Sequence, residues 1–206
     1  MGSAEIALTS LQKRVGNCAR CSLYKTRTRL VFGEGNSEAD IMFVGEAPGA
    51  QEDRSGRPFV GNSGKLLTRV LGKCKVERSE VYIANVLKCR PPDNRDPTDE
   101  EISTCSAVLE AQIGVVKPRV LIALGRFAGN YLAGFSEPQT LSWMRRQELF
   151  YENPRTDQYG IPLRVLAHPS YILRQSRGGT HFSLGAFVQG LSPAVSLANG
   201  KKTENP

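Results

Sequence analysis

The sequence predicts an α/β fold, a three-layer α/β/α sandwich around a central, mostly parallel four-stranded sheet. Three observations predict it. Four short β-branched runs are nearly continuous in apolar character, as strands buried on both faces are. Helical stripes fall between them, and strands alternating with helices imply right-handed crossovers. The glycine- and proline-bearing loops follow the strands, and open α/β sheets collect ligands outside the carboxyl ends of their strands.

The strands run over Ile41 to Val44, Val81 to Val86, Val120 to Leu124 and Leu163 to Ala167, each bounded by Gly, Pro or Asn. Between them, Leu66, Leu67, Val70 and Leu71 make one helical stripe, and Ile102, Val108, Leu109 and Ile113 another. The second is entered by Thr98, an N-cap candidate with Glu101 three residues on. Gly125 to Leu132 and Phe182 to Leu191 form two further helices, and Gln147 to Tyr151 pairs with Leu163 to Ala167 as a hairpin. Residues 1–192 are expected to form a single domain. From 193 to 206 the chain is small and polar, and a disordered tail is expected.

With 206 residues, 40% of them hydrophobic and 23% charged, the chain has the composition of a soluble globular protein. It has no apolar run of the ~20 residues that a membrane helix needs and no basic-then-apolar leader, so a cytoplasmic protein without a membrane partner is expected. A net charge of +7 and a pI near 9.3 favour polyanionic partners. In a reducing compartment, five cysteines suit metal ligation or free thiols better than disulfides.

Cys18 and Cys21 stand two residues apart, and Cys89 and Cys105 lie far downstream. Four thiolates suit zinc or an iron–sulfur cluster. Structural zinc usually takes two close pairs. Here the second pair is open, with a long loop from Arg90 to Thr104 between its members, which suits a larger cubane better. Cys74 stands alone on a helix.

The loop Gly45-Glu46-Ala47-Pro48-Gly49 continues through Glu52, Asp53 and Phe59 to Gly61-Asn62-Ser63-Gly64-Lys65. Its glycines let backbone approach a ligand, and Gly61 to Lys65 reads as a helix N-terminus suited to an anion. No phosphate-loop or dinucleotide fingerprint is present. Phe59, set among glycines, reads as a poorly buried aromatic and as a platform for a planar base, a contact worth ~1–3 kcal/mol. Asn85 interrupts an apolar strand, where a carboxamide must be paired or must read a ligand's polar edge. His168 follows the last strand and precedes Pro169-Ser170-Tyr171-Ile172-Leu173-Arg174. If the polyanion that a basic chain favours is a nucleic acid, Ile172 and Leu173 would serve either as an apolar wedge into its stack or as the inward face of a first helical turn, and Arg174 would contact a phosphate.

Taken together, Gly45 to Gly49 with Glu52-Asp53 and Gly56 to Gly61 resemble the first motif of the family 4 uracil-DNA glycosylases. Asn85-Val86-Leu87-Lys88-Cys89-Arg90-Pro91-Pro92 resembles their uracil-reading strand, and His168-Pro169-Ser170 with Leu173-Arg174 their second motif. The resemblance runs from about Leu11 to Leu191 and implies a uracil-DNA glycosylase-like fold and release of uracil from single- or double-stranded DNA by a monomer. It implies a [4Fe–4S] cluster on Cys18, Cys21, Cys89 and Cys105. For the uracil site it implies Glu46, Ala47, Gly49, Phe59, Asn85 and His168, with His168 donating to the departing base.

Two departures matter. The position where well-studied relatives carry a water-activating Asp holds Ala47, which leaves Glu46 and Glu52 as candidates for that work. The position of their thymine-excluding tyrosine holds Gly49, so Glu52 is a candidate for that bulk too. Rival readings are a glycosylase of wider deaminated-base range, against which Asn85 argues, and a non-catalytic iron–sulfur DNA-binding module, which would need neither Phe59, Asn85 nor His168.

Overall fold

The structure is a computed structural model that describes residues 2–152, 159–177 and 184–200. Its strands are β1 (Glu34–Gly35), β2 (Ile41–Gly45), β3 (Tyr82–Asn85), β4 (Val120–Leu124), β5 (Leu149–Glu152) and β6 (Tyr159–Leu166). Its helices are α1 (Ser3–Val15), α2 (Ala50–Ser55), α3 (Asn62–Lys73), α4 (Asp99–Val116), α5 (Arg126–Leu132), α6 (Leu141–Met144), α7 (Pro169–Arg177) and α8 (Leu184–Gly200).

The strands make one sheet in the order β1-β3-β2-β4-β6-β5, with β3, β2, β4 and β6 parallel and both edge strands antiparallel. The four parallel strands are those expected. The two edges enlarge the sheet to six strands among the described residues. β5 and β6 form the expected antiparallel pair, and residues 153–158 between them lie outside the described residues. β1 is only two residues long and carries no periodicity that a sequence reading can detect.

Alternation along each central strand builds the three layers, because successive side chains point to opposite faces. Met42 and Val44, with Leu121 and Ala123, pack under α1, α4 and α5 through residues such as Leu11, Leu109 and Leu132. Ile41 and Phe43, with Val120, Ile122 and Leu124, pack under α3 and α8 through Leu67, Leu71, Phe187 and Leu191. α4 starts as expected: Thr98 Oγ1 accepts from the Glu101 N–H at 3.3 Å, and Glu101 Oε2 accepts from the Thr98 N–H at 3.0 Å.

The expected disordered tail is corrected over its first part. α8 continues to Gly200, with Pro193 inside it. Ala194 and Ala198, 1% and 2% exposed, extend the stripe of Phe187 and Leu191 onto the sheet. Arg119 Nη1 donates to the Ala198 carbonyl at 3.4 Å, near the helix end. The small residues that make this segment look tail-like are what let the helix lie close to the sheet. Residues 201–206, and His181, lie outside the described residues. Among the described residues no helix is long and apolar enough to cross a membrane.

The chain leaves β2 toward one face through α3 and leaves β4 toward the other through α5. Between them the connection reverses, and a crevice opens at the carboxyl ends of β2 and β4.

Candidate active site

A cavity of about 600 Å³ fills that crevice. Glu46, Ala47, Gly49 and Glu52 reach it from the segment after β2, Phe59 from the approach to α3, and Asn85 from the end of β3. Gly125 and Arg126 follow β4, while His168, Ser170 and Arg174 follow β6. Every residue expected to bind uracil or do chemistry therefore meets in one place.

The floor is built by close approach. A Cβ on Gly45 would collide with Asn85 Oδ1 and with the edge of the Phe59 ring, so only glycine fits between them. The carbonyls of Gly45 and Glu46 accept from Val86 N (2.9 Å) and Leu87 N (3.0 Å), extending the β2–β3 ladder below the site. Asn85 is 2% exposed, and its Oδ1 is a buried acceptor without a hydrogen-bond partner among the described residues. A buried polar atom is rarely left so; here it lies on the wall of a cavity.

Phe59 is 6% exposed, packs with the second core cluster and also lines the cavity. The expectation of a poorly buried aromatic is thus corrected: one side of the ring is core, because the turn before α3 folds back over β2. Its centroid lies 5.8 Å from that of His168, with the rings tilted by 37°.

His168 is half-buried. Its Nδ1 accepts from the Ser170 N–H at 3.1 Å and lies 2.7 Å from Ser170 Oγ. A backbone N–H has only a proton to offer, so Nδ1 is unprotonated and Nε2 carries the hydrogen. Burial, with Arg174 nearby, lowers the imidazole to about 4 against a smaller opposing effect of Glu52. The ring is therefore neutral at physiological pH.

The two carboxylates differ. Glu52 Oε1 accepts from Val60 N (3.0 Å) and Gly61 N (2.8 Å), which brings a carboxylate to the start of α3, where the sequence pointed to an anion. Glu46 is half-buried, and burial, reinforced by Asp96, raises its carboxyl above the ordinary value despite Arg126. Ser170, Arg126 and Asp96 belong to the site without having been assigned a role from sequence. Ser170 was signalled by its place in the second motif, and Arg126 and Asp96 only by their positions after a strand end and in the loop following Cys89.

Ile172 does not reach the cavity. It is 3% exposed and joins the core beside α8, so its reading as a DNA wedge is corrected: the first turn of α7 turns it inward. Leu173 is half-buried, Tyr171 is exposed, and Arg174 is exposed on the cavity rim.

Cys18, Cys21, Cys89 and Cys105 line a second, smaller pocket together with Arg20, Arg27 and Lys88. Donors approach three of the sulfurs: Arg20 Nε to Cys18 Sγ at 3.3 Å, Arg27 Nη1 to Cys89 Sγ at 3.2 Å and the Lys88 N–H to Cys105 Sγ at 3.3 Å. Burial opposes ionisation of Cys18, but Arg20 and Arg27 outweigh it and lower the thiol; burial raises Cys105 and pushes Cys89 up to about 11. Among the described residues no group of three or more His, Cys, Asp or Glu is placed to hold a metal ion. Four cysteines around one pocket, with donors aimed at three of the sulfurs, are a donor set suited to a thiolate-ligated metal group. Cys74 lies elsewhere, at the end of α3. The wall between the two pockets is thin, since Ala47 lines the cavity and packs against the cluster of Leu23, Leu87 and Cys89.

A mostly parallel sheet whose crevice is walled by an aromatic ring, a buried carboxamide and a neutral imidazole is that of an α/β protein with a site suited to a planar polar ring. The sequence matches the uracil DNA glycosylase superfamily over residues 32–191, and the chain belongs to that family. It is similar to type-4 uracil-DNA glycosylases: 42% identical to that of Archaeoglobus fulgidus, over 81% of this chain and 83% of that protein. Against that of Thermotoga maritima it is 42% identical, over 84% and 87%. Against that of Pyrobaculum aerophilum it is 40% identical, over 89% and 94%.

Proposed function

We propose that this protein hydrolyses the N-glycosidic bond of deoxyuridine in DNA, releasing uracil and leaving an abasic site for base excision repair. The observation that carries the reading is the Oδ1 of Asn85, buried and without a hydrogen-bond partner among the described residues. It accepts the N3–H of uracil while the amide nitrogen donates to O4, and cytosine presents the opposite pattern. The cavity lies within the fold, so the base must leave the duplex stack, which costs least for a mispaired or single-stranded uracil. The extruded base stacks on Phe59.

Bond cleavage places positive charge on the sugar and negative charge on uracil. The Nε2–H of His168 donates to O2 as that charge develops, a contact that strengthens in the transition state. Glu46, which lines the cavity and whose carboxyl burial raises above its ordinary value, is the group we assign to the attacking water. Glu52 holds backbone with one oxygen, and its other oxygen lies toward Gly49, where its bulk stands against a C5 methyl. Arg174, on the rim, meets a phosphate. Cys18, Cys21, Cys89 and Cys105 hold a [4Fe–4S] cluster that ties the N-terminal segment to β3 and supplies no catalytic step.

Incubation with an oligonucleotide containing one uracil tests the function. Free uracil and an alkali-labile site should appear, and the thymine oligonucleotide should stay intact. No release from U:G, U:A or single-stranded DNA would overturn the reading.

A further inference from the structure

Phe59 holds its ring in the cavity wall from a backbone conformation its residue type disfavours, with φ at +49°. A bulky side chain in the left-handed region is an outlier, and it persists only where the surroundings over-determine it. Three holds surround it. After Phe59, the N–H groups of Val60 and Gly61 donate to Glu52. Behind it, Gly64 leaves no room for a Cβ against the Phe59 backbone. Before it, the carbonyl of the buried Pro58 accepts from Arg78 Nη2 at 2.8 Å.

Arg78 lies outside the cavity, in the 3-10 turn Arg78–Glu80 that leads into β3. Its guanidinium is oriented on three sides. Nη2 also donates to Glu34 Oε1 at 3.0 Å, Nη1 reaches Thr68 Oγ1 at 3.4 Å, and Glu34 is fixed in turn by Arg57 Nε at 2.7 Å. The Arg78 and Glu34 side chains are 21% and 25% exposed, so the pair is partly withdrawn from solvent. Glu34 sits on β1, opposite Ile83 of β3. The strand that ends in Asn85 thus begins beside the group that holds the platform.

We propose that Arg78, oriented by Glu34, is a positioning residue for base binding: by holding the Pro58 carbonyl it fixes the tilt of Phe59 on which uracil stacks. Without Arg78 that part-buried carbonyl loses this bond, and one of the three holds on the peptide before Phe59 is gone. The ring then wanders while the chemistry at His168 stays intact. The proposal rests on Phe59 being the base platform.

The test compares Arg78→Met, Arg78→Lys, Phe59→Leu and the double variant Arg78→Met/Phe59→Leu, each checked for a native circular dichroism spectrum. Steady-state excision and inhibition by free uracil are measured. Arg78→Met should raise KM and the inhibition constant of uracil ~10-fold, with a smaller change in kcat, and Arg78→Lys should recover part of the loss. In the Phe59→Leu background, Arg78→Met should add less than ~2-fold, because both act through one ring. General loosening of the fold would instead multiply the two losses. Uracil inhibition within ~2-fold of wild type, or fully multiplicative losses, would overturn the proposal. Should Arg78→Met not fold, Glu34→Gln must shift uracil inhibition in the same direction, and no shift overturns it. Wild-type behaviour of Phe59→Leu would instead remove the platform itself, a result separable from failure at Arg78.

Discussion

The Ser170 N–H donates to Nδ1 of His168 at 3.1 Å and thereby leaves the ring's proton on Nε2. One backbone bond, made two residues beyond the histidine, sets the tautomer that the chemistry needs.

His168→Ala should lower the single-turnover rate of uracil release ~10²–10³-fold. Substrate affinity should change far less, because the contact gains strength as charge builds on the base. The imidazole is neutral above about 4, so wild-type activity between pH 6 and 8 should show no dependence on a protonated His168. A wild-type cleavage rate in the variant would make His168 a structural residue and transfer the burden of catalysis to Glu46, Glu52 and backbone donors.

Stability should also carry the signature of His168. Its folded value, about 4, lies below the ~6.5 of an unfolded chain. Between those values the unfolded state binds a proton that the folded state does not, so stability falls as pH drops through that window. Chemical denaturation between pH 7 and 4 should show a loss that His168→Asn reduces. An equal pH slope in both proteins would refute the assignment.

Asn85→Asp replaces the donor to O4 with an acceptor. Uracil excision should fall at least ~100-fold, since a site built to hydrogen-bond one edge rejects its complement strongly. Cytosine, whose exocyclic amine matches an acceptor, should be released slowly. Unchanged kinetics on uracil would make Asn85 a structural residue.

Ile172→Ala should behave as a core truncation, costing ~2–4 kcal/mol of stability. Its effect on duplex and single-stranded substrates should be equal. A selective loss on duplex DNA would restore the wedge that the buried position argues against.

The purified protein should contain iron and acid-labile sulfide in a ratio matching one cluster. Cys89→Ala should remove both and lower the melting temperature, because the pocket joins the segment around Cys18 to the end of β3. Cys74→Ala should retain both. Stoichiometric zinc with neither iron nor sulfide would end the cluster assignment.

Much of this was legible in the chain itself. Strands buried on both faces leave an unmistakable apolar run, so β2, β3, β4 and β6 were readable to within a residue or two at most ends. The capping box at Thr98 and Glu101 was equally plain, since both partners lie within one turn. Motif residues at strand ends located Glu46, Asn85 and His168, because topology sends all such ends to one side of a parallel sheet, and the glycine-rich motif before α3 located Phe59. Local composition and periodicity decide these matters.

What depends on distant partners was settled only by tertiary structure. β1 exists because Glu34 and Gly35 find Ile83 and Tyr82, not through any pattern of its own. Segment 193–200 is helical because Ala194 and Ala198 fit a sheet face that the sequence does not display. Ile172 points inward, and Arg78 reaches Pro58 across twenty residues, for the same reason. The sequence determined which side chains carry chemistry. Folding decided which of them the site receives, because burial and hydrogen bonding are properties of what surrounds a residue.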